Sequence, residues 1–242
     1  MGVTNCLNFA NIENDDISYQ FVKSVEGLAN VSKKMNVPVV SGNVSMYNET
    51  NDKPIYPTVV LAMIGRADSY KSIIKNYFSS NETIFLLGKP IDEKMNVGGS
   101  FYQYVLYDKL VGKIDRVDYK KEIMFKDIIL DLNKKNIINA ISPIHTGGIF
   151  CSLFKGLLKN ELGFDGTLVF NNKNINHHKE LFGEVQSPRY LISTSKQEIL
   201  KEILEKNNID YKLLGTTNSK ETISFNNITL EKAKLKEAFT TD

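Results

Sequence analysis

Apolar and polar positions alternate along this chain in two rhythms, one helical and one extended. Phe21, Val22, Val25, Leu28, Ala29 and Met35 recur at helical spacing and predict a helix over 16–36, with Asp15 or Asp16 placed to cap it. Pro38 then opens a short β-branched strand that stops at Ser41-Gly42. Residues 46–57 carry two prolines and the run Asn-Glu-Thr-Asn-Asp and read as a loop. Residues 58–65 are almost wholly apolar and predict a buried strand. The polar stretch 69–82 predicts a short helix and a turn, and marks the domain boundary: 1–79 and 80–242.

The second segment opens with Thr83-Ile84-Phe85-Leu86-Leu87-Gly88, a strand ending at glycine. Gly98-Gly99-Ser100 starts a helix to about Val111, and another covers 119–136. A strand over 137–144 leads to Gly147-Gly148 and an apolar helix to about Leu162. Strands are predicted at 166–170 and 189–194, then an amphipathic helix at 196–208 with Ile199, Ile203 and Leu204 inward. Strands at 211–215 and 221–225 and a helix from about 230 complete the pattern. The alternation predicts an α/β (α+β) fold in which helices cover sheets.

Composition narrows the picture. The 242 residues are 42% hydrophobic and 24% charged, enough for one large or two modest domains. A net charge of +2 points to neither nucleic acid nor a membrane surface. The two cysteines, Cys6 and Cys151, make no disulfide framework and fit a reducing, cytoplasmic compartment. Met1-Gly2-Val3-Thr4 opens no signal peptide, and Cys6 stands where a myristoylation pattern wants Ser or Thr. No apolar run approaches the ~18 residues that a membrane span needs.

The chemistry concentrates in Val39-Val40-Ser41-Gly42-Asn43-Val44-Ser45-Met46-Tyr47-Asn48-Glu49. A strand ending in a glycine turn presents backbone N–H groups to an anion. Asn43, Ser45, Asn48 and Glu49 supply hard oxygens of the kind Mg²⁺ prefers. The simplest reading is a nucleotide–magnesium site at a strand end. Gly98-Gly99 and Gly147-Gly148 each precede a helix, where glycine lets backbone approach phosphate. Either pair alone favours a tight turn without a ligand. Asn5 and Asn8 contact a ligand or satisfy a turn, and Cys6 between them reads as a small packed residue. His145 binds phosphate or acts as a base, or is a hydrogen-bonded structural histidine. His177 and His178 lack metal spacing and read as surface residues. Glu184 and Arg189 present charges to a phosphorylated ligand or form a salt-bridged turn, with equal weight.

Thr-Asn-Cys-Leu-Asn-Phe-Ala-Asn (4–11) and Pro-Val-Val-Ser-Gly-Asn-Val-Ser-Met-Tyr-Asn-Glu-Thr (38–50) strongly resemble the second half of phosphoribosylformylglycinamidine synthase, in its small bacterial synthetase subunit. Pro57-Thr58-Val59-Val60, Gly98-Gly99-Ser100, Gly147-Gly148-Ile149, Leu181-Phe182-Gly183-Glu184 and Leu214-Gly215 continue the match in order. The resemblance implies the aminoimidazole ribonucleotide synthetase-like superfamily: a ferredoxin-like N-terminal domain, here truncated, plus a C-terminal α+β domain. It implies an ATP-dependent ligase. ATP activates the amide oxygen of formylglycinamide ribonucleotide, and ammonia displaces phosphate. A glutaminase subunit supplies the ammonia and a small subunit bridges the two. By position, the resemblance places Asn5 and Gly42 at ATP, Asn43 at Mg²⁺ and Ser45 at the substrate.

Three departures qualify this. The family's catalytic histidines lie in its first half, so no catalytic residue is expected here. The family has a further strand and helix before Thr4. The family's Asp-x-Ser-Asp-Gly-Gly turn reads Pro143-Ile144-His145-Thr146-Gly147-Gly148, without either carboxylate. The expectation is a C-terminal half that is inactive alone and is completed by an N-terminal half or a homo-oligomer partner. The alternative is a non-catalytic nucleotide-binding or assembly module. An unpaired sheet edge and exposed apolar surface are expected to be covered by a partner.

Overall fold

A computed structural model describes residues 1–170, 173 and 175–240. The chain divides into two compact units, Met1–Tyr70 and Lys71–Asp242. The division falls nine residues before the one read from sequence. Phe78 is fully buried in the core of the second unit, and Ile141 donates its N–H to Lys75 O at 2.8 Å, so 71–79 belongs to that unit.

The first unit is built on β1 (Gly2–Asn8), α1 (Asp15–Met35), β2 (Val39–Ser45) and β5 (Thr58–Ile64), with a hairpin of β3 (Glu49–Thr50) and β4 (Lys53–Pro54) between the last two. The sheet order is β2-β1-β5; β2 runs parallel to β1 and β5 antiparallel. The cap of α1 is Asn14, not Asp15 or Asp16: its Oδ1 accepts from Asp16 N and Ile17 N at 3.0 and 3.3 Å. Val3 and Leu7 are buried, as is Phe9, whose ring meets Phe21 of α1 edge-on at 5.3 Å. The 58–65 run does form a strand, but every residue of β5 is exposed. It is an edge strand with only β1 beside it. At the opposite edge, Val39, Val40 and Val44 of β2 are exposed too.

A 3₁₀ turn at Tyr70–Ser72 straddles the division, and the second unit follows from Lys71. It contains β6 (Thr83–Leu87), α2 (Phe101–Tyr107), α3 (Tyr119–Lys134), β7 (Ala140–Pro143), α4 (Gly148–Leu158) and β8 (Gly163–Gly166). Then come α5 (His177–Phe182), β9 (Tyr190–Thr194), α6 (Gln197–Lys206), β10 (Tyr211–Asn218), β11 (Thr222–Phe225), β12 (Ile228–Glu231) and α7 (Lys232–Thr240). Seven strands order as β12-β11-β8-β10-β6-β9-β7. The run Ile84-Phe85-Leu86-Leu87 is continuous because β6 is buried on both faces. Ile84 and Leu86 join a cluster with Ile149, Leu153 and Leu157 of α4. Phe85 and Leu87 join another with Phe125, Ile129 and Leu132 of α3 and Leu200 and Leu204 of α6. Ile199, expected inward, is 48% exposed; Leu200 takes the buried position.

Residues 167–170 are not a strand. Asn226 Oδ1 accepts from Leu168 N and Val169 N at 3.3 and 3.2 Å, and so takes donors a ladder would need. Helix α2 stops at Tyr107 because Asp108 turns left-handed at φ 50°. Helix α4 ends at Leu158, and Glu161 at φ 50° turns the chain away before Leu162.

Candidate functional site

In the first unit, Gly42 lies inside β2 rather than at a turn closing it. It pairs with Asn5, and a Cβ on Gly42 would fall 2.7 Å from Asn5 Oδ1 and 2.8 Å from its Nδ2. The missing side chain is therefore what seats the Asn5 amide against the sheet. Asn43 pairs with Cys6 and Ser45 with Asn8. Ser41 Oγ donates to Thr4 Oγ1 at 2.7 Å, and Asn43 Nδ2 to Cys6 Sγ at 3.6 Å. Side chains alternate along a strand, so the four candidates divide. Asn5 and Gly42 share one face of the sheet; Asn43 and Ser45 share the other. β2 is an edge strand, so a ligand along its outer edge has backbone groups beside it and reaches both faces.

Asn48, grouped with these by sequence, is spent inside the fold: it donates to Phe9 O at 3.0 Å and accepts from Ser45 Oγ at 3.2 Å. Asn43 Oδ1 has no hydrogen bond among the described residues. A neutral amide oxygen suits Mg²⁺ as one ligand. Among the described residues no group of three or more His, Cys, Asp or Glu is placed to hold a metal. The residues thus fit a magnesium ion that arrives on phosphates, and not a bare one.

In the second unit, a cavity of about 390 Å³ gathers most of the other sequence candidates: Gly98-Gly99, His145, Glu184 and Arg189. Glu184 joins the two glycine turns. Its Oε1 accepts from Gly147 N and its Oε2 from Phe101 N, both at 2.7 Å. One internal carboxylate thereby sits before the starts of both α2 and α4, where the glycines suggested a phosphate. The salt-bridged turn, one of the two readings of Glu184 and Arg189, is absent, because Arg189 makes no ion pair or side-chain hydrogen bond among the described residues. Burial lowers its pKa to about 10.

Glu122, on the same cavity wall, escaped the sequence reading; burial raises its carboxyl above the usual range. It sits on an ordinary helical surface pattern, and no local signal marks it. Burial likewise raises the Cys151 thiol, so that cysteine is a packed residue and not an activated one.

Known proteins share both the sequence and the fold. Residues 1–67 match the family described as AIR synthase related protein, N-terminal domain. The phosphoribosylformylglycinamidine synthase subunit PurL of Nitratiruptor sp. is 31% identical over 241 residues, covering 99% of this chain and 32% of that protein. The PurL subunit of Petrotoga mobilis is 35% identical over 224 residues, covering 91% of this chain and 30% of that protein. A structure of T. maritima PurL complexed with FGAR superposes with TM-score 0.69 at 16% identity, covering 97% of this chain and 39% of that one. A thiamine-monophosphate kinase from Stenotrophomonas maltophilia superposes at 0.55 with 10% identity, covering 90% of this chain and 69% of that one, which shows a shared fold alone. No described helix is long and apolar enough to cross a membrane. The chain spans about a third of the length of the curated relatives it matches, and over nearly all of its own length it is similar to the PurL subunits of phosphoribosylformylglycinamidine synthase.

Proposed function

We propose that this chain is the C-terminal half of the synthetase and contributes ATP–Mg²⁺ and substrate contacts to the amidation of formylglycinamide ribonucleotide in purine biosynthesis. The observation that carries this reading is the outer edge of β2, where Gly42, the free amide oxygen of Asn43 and the Ser45 hydroxyl succeed one another. Gly42 and Asn5 border the nucleotide, Asn43 ligates the metal carried on its phosphates, and Ser45 meets the ribonucleotide. A bound magnesium ion would offset phosphate charge as the phosphoryl group moves to the amide oxygen. The chain's own residues bind and orient; the groups that move protons lie elsewhere in the complete enzyme. A complementary N-terminal half or a second copy covers the exposed strands β2 and β5. A glutaminase subunit and a small bridging subunit complete the ammonia supply in the cytoplasm.

A second reading, a nucleotide-binding or assembly module without catalysis, is favoured by the 143–148 turn. It lacks carboxylates, and Gly147 N and Gly148 N are already bonded to Glu184 and to His145 O. Calorimetry of the chain with MgATP, with Mg²⁺ alone and with the Asn43→Ala variant tests the site. MgATP binds, the bare ion does not, and the variant loses the heat. Adding the N-terminal part of a related synthetase then separates the two readings. Amidine formation restored only by the mixture supports the first; a mixture that binds MgATP without turnover supports the second. Turnover by this chain alone overturns both.

A further inference from the structure

The face between α4 and α7 gathers cations that the fold leaves uncompensated. A cavity of about 670 Å³ there is lined by Lys155 and Lys159 of α4, by Lys236 and Phe239 of α7, and by Tyr77. No aspartate or glutamate lines it among the described residues. All three lysines are exposed. Lys236 pairs with Glu161 at 3.3 Å, an exposed contact of little strength. Lys155 and Lys159 make no ion pair among the described residues, and they stand one helical turn apart, where like charges repel.

Lysines near the end of α4 suit the helix dipole, and most surface lysines do no more than that. Here aromatic rings hold them. Lys159 Nζ stands 3.8 Å from the centre of the Tyr77 ring, with Lys75 Nζ 5.7 Å from the same ring. Lys155 Nζ stands 5.7 Å from the centre of Phe239. A ring attracts an ammonium group without neutralising it. The cations are therefore positioned while their charge stays available. The rings are anchored in turn. Phe239 meets the buried Phe154 edge-on at 5.6 Å. Next to Tyr77, Phe78 donates its N–H to Gly156 O at 2.8 Å, within the turn of α4 that separates the two lysines.

We propose that this face binds a small molecule bearing two or more phosphates, which Lys155, Lys159 and Lys236 hold together. Lysine meets phosphate as a point charge, so several ammonium groups match several phosphates better than one. A cavity of this volume falls in the range of small-molecule sites, and a net charge of only +2 does not point to nucleic acid. Every residue of the site belongs to the second unit, and none belongs to the β2 edge.

Calorimetry of the full chain with sodium pyrophosphate, in magnesium-free buffer at constant ionic strength, tests this. Pyrophosphate binds saturably, and orthophosphate binds at least tenfold more weakly. The double variant Lys155→Gln/Lys159→Gln weakens pyrophosphate binding at least tenfold, and the arginine pair at the same positions retains it. Lys201→Gln, on α6, changes nothing, which separates this site from a general effect of charge. Tyr77→Leu keeps every charge and weakens binding about two- to fivefold, the strength of an exposed cation–ring contact. Asn43→Ala leaves pyrophosphate binding unchanged, which separates this site from the MgATP proposal. The assignment is overturned if the wild-type chain does not bind pyrophosphate, or if the double glutamine variant binds it as well as wild type. A single-stranded oligonucleotide that binds this face more tightly than pyrophosphate would make it a nucleic-acid surface and overturn the small-molecule assignment.

Discussion

Glu184 gives the sharpest test of how the second unit is held together. Its two carboxylate oxygens each accept one backbone N–H at 2.7 Å, from Gly147 at the start of α4 and from Phe101 at the start of α2. Hydrogen bonds to a charged acceptor contribute roughly 1.5–3 kcal/mol each. Replacement by glutamine keeps the shape and one acceptor but turns an NH₂ toward the other donor and removes the charge. The bond from Phe101 is solvent-exposed, so the lower end of the range applies, and Glu184→Gln should cost about 2 kcal/mol. For a domain of this size that lowers the melting temperature by about 4–8 °C. Urea and thermal unfolding monitored by far-UV circular dichroism measure the loss. Hydrogen exchange locates it, since the Gly147 and Phe101 amides should exchange faster. A variant within about 0.5 kcal/mol of wild type, with both amides still protected, would refute the internal-cap account.

Two further outcomes are expected. Gly42→Ala pushes a methyl to 2.7 Å from Asn5 Oδ1 and swings that amide away. Alanine regains roughly 0.5–1 kcal/mol of backbone entropy, so stability should barely change while MgATP affinity, read by calorimetry, falls about tenfold. Burial raises the Glu122 carboxyl, with Lys121 lowering it and Asp118 raising it. A raised carboxyl favours the folded state while protonated, so that contribution is present below the usual carboxylate pKa and is lost as pH rises through the raised value. Glu122→Gln should therefore be more stable than wild type at neutral pH, and the gap in urea midpoint should close on acidification.

Legibility in the sequence tracked the range over which each element is determined. The β6 run is apolar at every position because both faces are buried, and four consecutive residues carry that signal. The β5 run looks the same on paper yet is exposed throughout, since burial depends on neighbouring strands that the local pattern does not encode. Gly42 read as a turn because glycine usually serves that purpose. Here it makes room for Asn5, which lies 37 residues earlier and is brought alongside only by the parallel pairing. The same holds for Glu184. It was visible as a charge near a glycine and read, with equal weight, as a ligand contact or half of a salt-bridged turn; its capping role did not show, because its partners lie 37 and 83 residues away. The nucleotide candidates were legible as residue types, whereas their division between two sheet faces comes from register alone.

Glu184 and Arg189 lie five residues apart on one connection, yet they do opposite things to stability. The carboxylate is consumed by the fold; the guanidinium is buried by it and given nothing. A salt bridge between the two would satisfy both charges and leave Gly147 N and Phe101 N without their acceptor. The structure instead spends the anion on backbone N–H groups and leaves the cation buried without a hydrogen-bond partner among the described residues. Buried charges left without compensation lower stability, and persist where they do something else. The two substitutions should therefore diverge: Glu184→Gln lowers the unfolding midpoint, whereas Arg189→Met holds or raises it. If both lower it alike, Arg189 has a structural partner after all.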